Sequence, residues 1–301
     1  VGIGINPNLA ARIKQADLII ALGARLGEMT TSGYTLLASP KPHQALIHIH
    51  ADPSELGRVY RPTLAICARA GAVIQQLAQD NKGAALPARL DMLKQARMEY
   101  EAWQQPETTP GELKMEQVIT HLNQTLPDDA ILTNGAGNYT AFLHRYYRYR
   151  GWRTQLAPTS GSMGYGLPAA ISAKLEYPER EVICLAGDGC FQMVMQEFGT
   201  ACQYGANIVV LIANNGMYGT IRMHQQRHFP HRPSATTLIN PDFAMFARAY
   251  GAFGASVTCA RDFETAFAAA RAARTPAILD LKVSPQALSP TLLLEDMASA
   301  Q

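Results

Sequence analysis

The sequence is short of every feature that marks a specialised class of protein. Charge is sparse and balanced: 26 Lys and Arg stand against 24 Asp and Glu, for a net charge of +2 and a pI of about 8.3. Nucleic-acid-binding domains usually carry clustered basic residues and a pI above about 9, so no nucleic-acid partner is expected. No apolar run approaches the roughly 20 residues that span a bilayer, and no basic start with an apolar core marks a signal peptide; no membrane partner is expected either. The cysteines are few and scattered, at Cys67, Cys184, Cys190, Cys202 and Cys259, and none forms a C-x-x-C pair. That excludes a disulfide framework and a cysteine zinc site, and points to thiols in a reducing, cytoplasmic compartment.

What is present is ordinary globular composition, 48% hydrophobic and 17% charged. The 301 residues allow two domains at roughly 150 residues each. There is no initiator Met, and Val1-Gly2-Ile3-Gly4 reads like the middle of a domain, so a piece of a longer polypeptide is expected.

Apolar runs bounded by Gly, Pro and Asn alternate with amphipathic stretches, the pattern of βα units in a parallel sheet. Three strands are expected in residues 1–80, at Asp17–Gly23, Ala45–His50 and Leu64–Cys67, followed by a helix over 71–78. Residues 81–112 lose the strand signal, gain charge and proline, and read as a connecting segment with one helix at 88–103. Residues 113–301 carry a full series of units. Strands are expected at Ala130–Thr133, Val182–Ala186, Ile208–Ala213, Ala255–Val257 and Ala277–Leu281. Helices are expected at 114–126, 164–175, 192–204, 241–250 and 261–273. The strands at 182 and 208 are nearly all apolar, as strands covered on both faces must be. The fold class is therefore α/β, a doubly wound parallel sheet preceded by part of a Rossmann-like domain.

The chemistry concentrates at two strand ends. Gly187-Asp188-Gly189 follows one strand, Asn214-Asn215 follows the next, and 24 residues lie between the motifs. Neighbouring parallel strands would bring Asp188 and Asn215 to one carboxyl edge, where open α/β sheets bind ligands. The pair suits a magnesium-held diphosphate. Magnesium takes six hard oxygen ligands: a carboxylate from Asp188, an amide oxygen from Asn215, and the Met217 carbonyl as a third. Gly189 and Cys190 open a helix whose N–H groups favour an anion. Alone, Gly-Asp-Gly is a common strand-to-helix turn; its meaning comes from the paired motif and the strand context.

That pair of motifs resembles the thiamine diphosphate signature. Gly161-Ser162-Met163-Gly164-Tyr165-Gly166 resembles the segment that cradles the aminopyrimidine ring of that cofactor. Asn134-Gly135-Ala136-Gly137-Asn138-Tyr139 resembles the loop across the diphosphate. Ala21-Leu22-Gly23-Ala24-Arg25 and His48-Ile49-His50-Ala51-Asp52 resemble the later half of the central domain of acetolactate synthase-like enzymes. The resemblance implies a partial central domain at 1–80 and a complete diphosphate-binding domain at 113–301. It implies that Asp188, Asn215 and the Met217 carbonyl hold the metal. Ala136, Gly137, Asn138 and Tyr139 would contact the diphosphate, with Gly187, Gly189 and Cys190 opposite. The Gly161 carbonyl would accept from the 4′-amino group, and Met163 would wedge the cofactor into its bent shape. The activating Glu is expected outside this chain, on an N-terminal domain across a subunit boundary, so a homodimer or homotetramer and an inactive isolated chain are implied.

The implied activity is decarboxylation of a 2-oxo acid with carboligation. A simple 2-oxo acid decarboxylase and a non-catalytic cofactor-binding module are the alternatives. Some relatives bind FAD partly beside the position of Arg25; nothing else in the sequence supports FAD here. His224 lies nine positions after Asn215, where acetolactate synthases carry a Trp that shapes the acceptor pocket, so His224 is a candidate pocket residue. His224 and His228 have the spacing of a zinc helix but lack the Glu of H-E-x-x-H. The basic and aromatic run His144–Arg153 reads as an exposed helix end or subunit contact.

Overall fold

The computed structural model describes residues 4–80 and 87–298. The chain divides into two compact units, Val1–Gln104 and Gln105–Gln301. The segment expected to connect the domains is itself divided: the helix expected there falls in the first unit, and residues 105–112 fall in the second.

In the first unit, helix α1 (Pro7–Gln15) is started by Asn6, whose side chain accepts from the Asn8 amide, and by Pro7 in the first turn. Strands β1 (Leu18–Leu22), β2 (Ala45–His50) and β3 (Leu64–Cys67) form a parallel sheet in that order. Helices α2 (Ala70–Asp80) and α3 (Pro87–Trp103) follow. The α3 carboxylate of Glu99 grips the Arg12 guanidinium through two bonds, at 2.7 and 2.8 Å, which ties α3 to α1. The buried core is small, built on Ala21, Leu37, Leu46 and Tyr60.

The second unit begins with α4 (Met115–Thr125), β4 (Ile131–Asn134), α5 (Thr140–Tyr146), β5 (Gln155–Leu156), α6 (Gly166–Glu176) and β6 (Val182–Gly187). Next come α7 (Asp188–Gln192), α8 (Glu197–Gln203), β7 (Val209–Asn214) and α9 (Gly219–His228). The series continues with α10 (Phe243–Ala249), β8 (Phe253–Val257), α11 (Ala260–Ala272) and β9 (Ala277–Lys282). A short hairpin of β10 (Ala287–Ser289) and β11 (Leu292–Leu293) comes last. Six strands make one parallel sheet in the order β5-β4-β6-β7-β9-β8.

Every residue of β6 and β7 is buried. Their side chains alternate between two cores, as the two-residue period of a strand requires. Ile183, Leu185, Val209 and Leu211 pack with Phe142, Phe263 and Phe267 on one face. Val182, Cys184, Val210 and Ile212 pack with Phe191, Phe198 and Phe243 on the other. This is the doubly wound sheet that the apolar strands announce. The chain leaves β4 toward β5 and returns to place β6 on the other side of β4. Connections therefore diverge between β4 and β6, and a crevice opens at their carboxyl ends.

Two expectations are corrected. The helix expected at 192–204 begins later, as α8 at Glu197, and is parted from α7 by turns closed by Val194 N–H to Phe191 and Glu197 N–H to Val194. The break lets Val194 press against Gly164, where an added Cβ would lie 3.0 Å from Val194 Cγ1. The run His144–Arg153, expected as an exposed helix end or subunit contact, is mixed: it runs through the end of α5 with His144, Arg148, Arg150, Trp152 and Arg153 exposed, while residues 145–147 are packed. Arg145 is buried against Glu107, Tyr146 and Tyr147 are buried, and the Arg150 guanidinium donates to the Asn123 and Leu126 carbonyls at the end of α4. Trp152 is 87% exposed.

His121 on α4 meets Phe263 and Phe267 of α11 edge-on, at 5.5 and 5.8 Å between centroids. Burial holds its imidazole below the ordinary histidine value, against the opposing pull of Glu264 at 4.0 Å. The neutral ring is thus the folded form. The stability it supports is complete above about pH 6.5 and is lost as pH falls from there through the lower folded value. Thermal midpoints of the wild type should therefore fall between pH 7.5 and 5.0, and His121→Gln should fall less over that interval. Parallel melting curves across those pH values check this.

Candidate diphosphate and cation site

A cleft of about 780 Å³, partly open to solvent, lies at the carboxyl edge of the second unit's sheet. The turns after β4, β6 and β7 line it through Ala136–Tyr139, Gly187–Cys190, Asn215 and Met217, together with Met163. The structure thus gathers nearly all of the residues singled out from the sequence. Two stand apart. Gly161 is exposed and is not among the lining residues. His224 is exposed on α9, its ring stacked on His228 at 6.2 Å, and does not line the cleft either. The acceptor-pocket expectation for His224 is therefore not met by this cleft. Among the described residues no cluster of three or more His, Cys, Asp or Glu side chains is placed to hold a metal, which leaves the His224–His228 pair without further ligands.

Three separate turns are stitched together by one thiol. Cys190 Sγ accepts from the Gly164 amide at 3.4 Å and donates to the Ala136 carbonyl at 3.3 Å. Tyr139 folds back so that its ring lies against both Gly137 and Gly187; a Cβ on either would come within 2.8 Å of Tyr139 Cε1. Only glycine admits such an approach. Burial pushes the Tyr139 hydroxyl well above its ordinary range, with the Cys190 thiol close by, so it stays neutral.

Asp188 stands 2% exposed at the start of α7, immediately after β6. Burial raises its carboxyl above the usual carboxylate range. Three donors work the other way. Oδ1 accepts from the Gly189 amide at 2.9 Å, while Oδ2 accepts from the Gly216 amide at 2.9 Å and from Asn240 Nδ2 at 2.8 Å. The Gly216 bond sets the carboxylate beside the residue that lies between Asn215 and Met217. Asn215 Oδ1 accepts from the Met217 amide at 3.1 Å, in a tight turn that keeps the amide oxygen at the cleft. Residue 217 pairs with Thr237 through bonds from Tyr218 N–H to Thr236 and from Leu238 N–H to Gly216. Neither bond uses the Met217 carbonyl. The donor set is all hard oxygen: one carboxylate, one amide and one carbonyl, which suits a magnesium ion that keeps waters and phosphate oxygens in its shell.

Sequence reasoning missed residues that complete this arrangement. Asn240 bonds Asp188 directly, and Gln192 bonds Asn240 at 2.6 Å. Their signals are faint, an Asn before a Pro and a Gln at a helix end. Thr220 was missed too. Its hydroxyl donates to Asn138 Oδ1 at 2.9 Å and accepts from the Asn138 amide at 3.2 Å, clamping the first turn of α9 to the loop after β4. Thr109, Pro110, Ala287 and Leu288 add an apolar wall. A second cavity, of about 530 Å³, lies in the first unit among Arg25, His48, Glu55, Arg58 and Tyr60.

Fold and cleft together define a doubly wound α/β unit with a glycine-lined cleft at the switch point of its sheet. Comparison with known proteins agrees. Residues 135–281 match the family described as thiamine pyrophosphate enzyme, C-terminal TPP binding domain, and residues 1–77 match thiamine pyrophosphate enzyme, central domain. The chain belongs to the thiamine pyrophosphate enzymes. It is 32% identical over 290 residues to the acetolactate synthase of Mycobacterium leprae, covering 92% of this chain and 46% of that protein. It is 30% identical over 279 residues to the acetolactate synthase large subunit of Parasynechococcus marenigrum, covering 90% of this chain and 44% of that one. The isozyme 3 large subunit of Escherichia coli is 30% identical over 257 residues, covering 83% and 44%. The chain thus spans about half the length of the curated relatives it matches.

Removing the Thr220 hydroxyl breaks both bonds to Asn138. Each such bond contributes about 1 kcal/mol, so Thr220→Val should lower the thermal midpoint by roughly 4–8 °C. Amide exchange at Asn138 should quicken, while that of β6 and β7 stays slow. Hydrogen exchange resolved by residue checks both.

Proposed function

We propose that this chain supplies the diphosphate-binding half of a thiamine diphosphate- and magnesium-dependent site, in an enzyme that decarboxylates a 2-oxo acid and joins the product to a second carbonyl compound. The carrying observation is the cleft at the β4/β6 divergence, with Asp188, Asn215 and the Met217 carbonyl beside glycines too crowded to bear a side chain. The naming of the relatives as acetolactate synthases supports the carboligation part. When bound, the cofactor supplies a thiazolium that accepts electrons as carbon dioxide leaves.

The chain's own residues have separable tasks. Asp188 gives the cation its one anionic protein ligand, and Asn215 and Met217 give neutral ones. Ala136, Gly137 and Asn138 meet the diphosphate from the β4 side, and Gly189 and Cys190 from the β6 side. Met163 is half-buried and lines the cleft; its unbranched thioether suits a wedge that fills an irregular gap without a polar atom to satisfy. The wall of Leu113, Phe142 and Leu288 limits water at the reacting end. The carboxylate that activates the pyrimidine ring belongs, on this reading, to the part of the enzyme that the chain does not cover. The assembled enzyme is then a homodimer or homotetramer with its site shared between subunits. No helix among the described residues is long and apolar enough to cross a membrane.

Calorimetric titration of the chain with thiamine diphosphate, with and without magnesium, tests this. Asp188→Ala should abolish the magnesium-dependent part of binding and Asn215→Ala should weaken it at least about tenfold, the scale of a lost ligand or its support. Unchanged magnesium dependence in Asp188→Ala overturns the site. In the full-length enzyme, acetolactate formed from pyruvate supports carboligation, whereas acetaldehyde alone marks a simple decarboxylase.

A further inference from the structure

From the proposed cation ligand Asp188 runs a series of hydrogen-bonded polar groups, buried at Asn214 and Asp280, half-buried at Asn240 and Gln192, and ending at the exposed Lys282. Lys282 Nζ lies 2.6 Å from Asp280 Oδ2, and Asp280 Oδ1 accepts from Asn214 Nδ2 at 2.8 Å. Asn214 Oδ1 accepts from Asn240 Nδ2 at 2.8 Å, and the same Nδ2 donates to Asp188 Oδ2 at 2.8 Å. Gln192 Nε2 donates to Asn240 Oδ1 at 2.6 Å. Asp280, Asn214 and Asp188 are 1%, 7% and 2% exposed.

The chemistry of the two ends dictates every orientation between them. An ionised carboxylate only accepts, whereas a side-chain amide has one accepting and one donating end. Asp280 therefore requires the amino group of Asn214, which leaves the Asn214 oxygen facing Asn240. That oxygen and Asp188 both require the amino group of Asn240. The Asn240 oxygen is left for Gln192. No amide in the series can turn round without setting two acceptors or two donors against each other. Oδ2 of Asp188 is thereby held by two donors from different segments, and Oδ1, which meets only its neighbour's amide, is left to face a ligand.

We propose that Asn240 is a positioning residue for the cation site: it fixes the rotation of the Asp188 carboxylate, and Gln192 and the Asn214–Asp280–Lys282 series fix Asn240. The inference rests on the magnesium–diphosphate reading of the cleft. It assigns a task to a residue outside the motif pair, contributed by the segment that precedes α10.

The test is titration of the full chain with thiamine diphosphate at a series of magnesium concentrations, alongside its thermal midpoint without cofactor. Asn240→Ala should raise the magnesium concentration for half-maximal binding at least about tenfold, the usual cost of losing a group that orients a metal ligand. Excess magnesium should restore binding. Gln192→Leu, which touches neither Asp188 nor the cleft's cation ligands, should shift the same midpoint several-fold in the same direction. A purely structural Asn240 would lower the thermal midpoint and leave the magnesium dependence of the folded protein where it was; that result overturns the proposal. If Asn240→Ala does not fold, Gln192→Leu decides, and an unshifted magnesium midpoint there overturns it equally. Should Asp188→Ala itself leave magnesium dependence intact, the reading of the site fails first, and the two failures are told apart.

Discussion

A carboxylate held out of water at the end of a strand is the constraint on which the second unit turns. Burial alone would drive Asp188 toward its neutral form, and a neutral acid is a poor ligand for a hard cation. The protein meets the cost with oriented donors: the Gly189 amide from the turn after β6, the Gly216 amide from the turn after β7, and the Asn240 side chain from the approach to α10. Three stretches of chain must converge for this one group. Their convergence is what the parallel sheet provides, since β6 and β7 lie side by side in register and end at the same edge.

The same economy explains the glycines. Tyr139 fills the space beside Gly137 and Gly187, and Tyr218 crowds Gly189, where a Cβ would come within 2.6 Å of Tyr218 Cε1. The site is lined by backbone because aromatic rings brace that backbone from behind. Cys190 adds a small polarizable link between the turns at Ala136 and Gly164, short enough to leave the cleft open. The cleft thus presents mostly main-chain groups, and the side chains serve largely to hold that main chain in place.

Much of this was legible in the sequence. The strands β2 and β3 lie where the apolar runs end, because flanking polar and turn residues bound them sharply. β6 and β7 are unmistakable, since two-sided burial demands continuous apolar sequence. The motif pair gave Asp188 and Asn215 because strand ends at one edge are fixed by the βα period. The rest was hidden for physical reasons. The break between α7 and α8 follows from tertiary packing of Val194 on Gly164, which no helical period reveals. The burial of Arg145 depends on Glu107, a partner 38 residues away. Asn240 was invisible because an amide that orients another side chain leaves no periodic trace, and only the folded arrangement shows which donor reaches which acceptor.

The pairing of residue 217 with Thr237 closes residues 218–236 into a loop at its base, with one bond from Tyr218 to Thr236 and another from Leu238 to Gly216. Everything the cation needs from this stretch lies at or outside that clasp: Asn215 and Met217 on one side, Asn240 on the other. α9 and its basic, histidine-bearing surface hang within the loop. Loop-closure entropy grows slowly with length, by only about 0.6 kcal/mol per doubling. Beyond the Thr220 clamp on Asn138, changes of length in the later turns of α9 therefore alter the closure of the clasp only slightly. The clasp thus sets the residues proposed to hold the cation apart from the exposed later turns of α9, His224 and His228 among them, where the sequence can vary without moving the turn after β7.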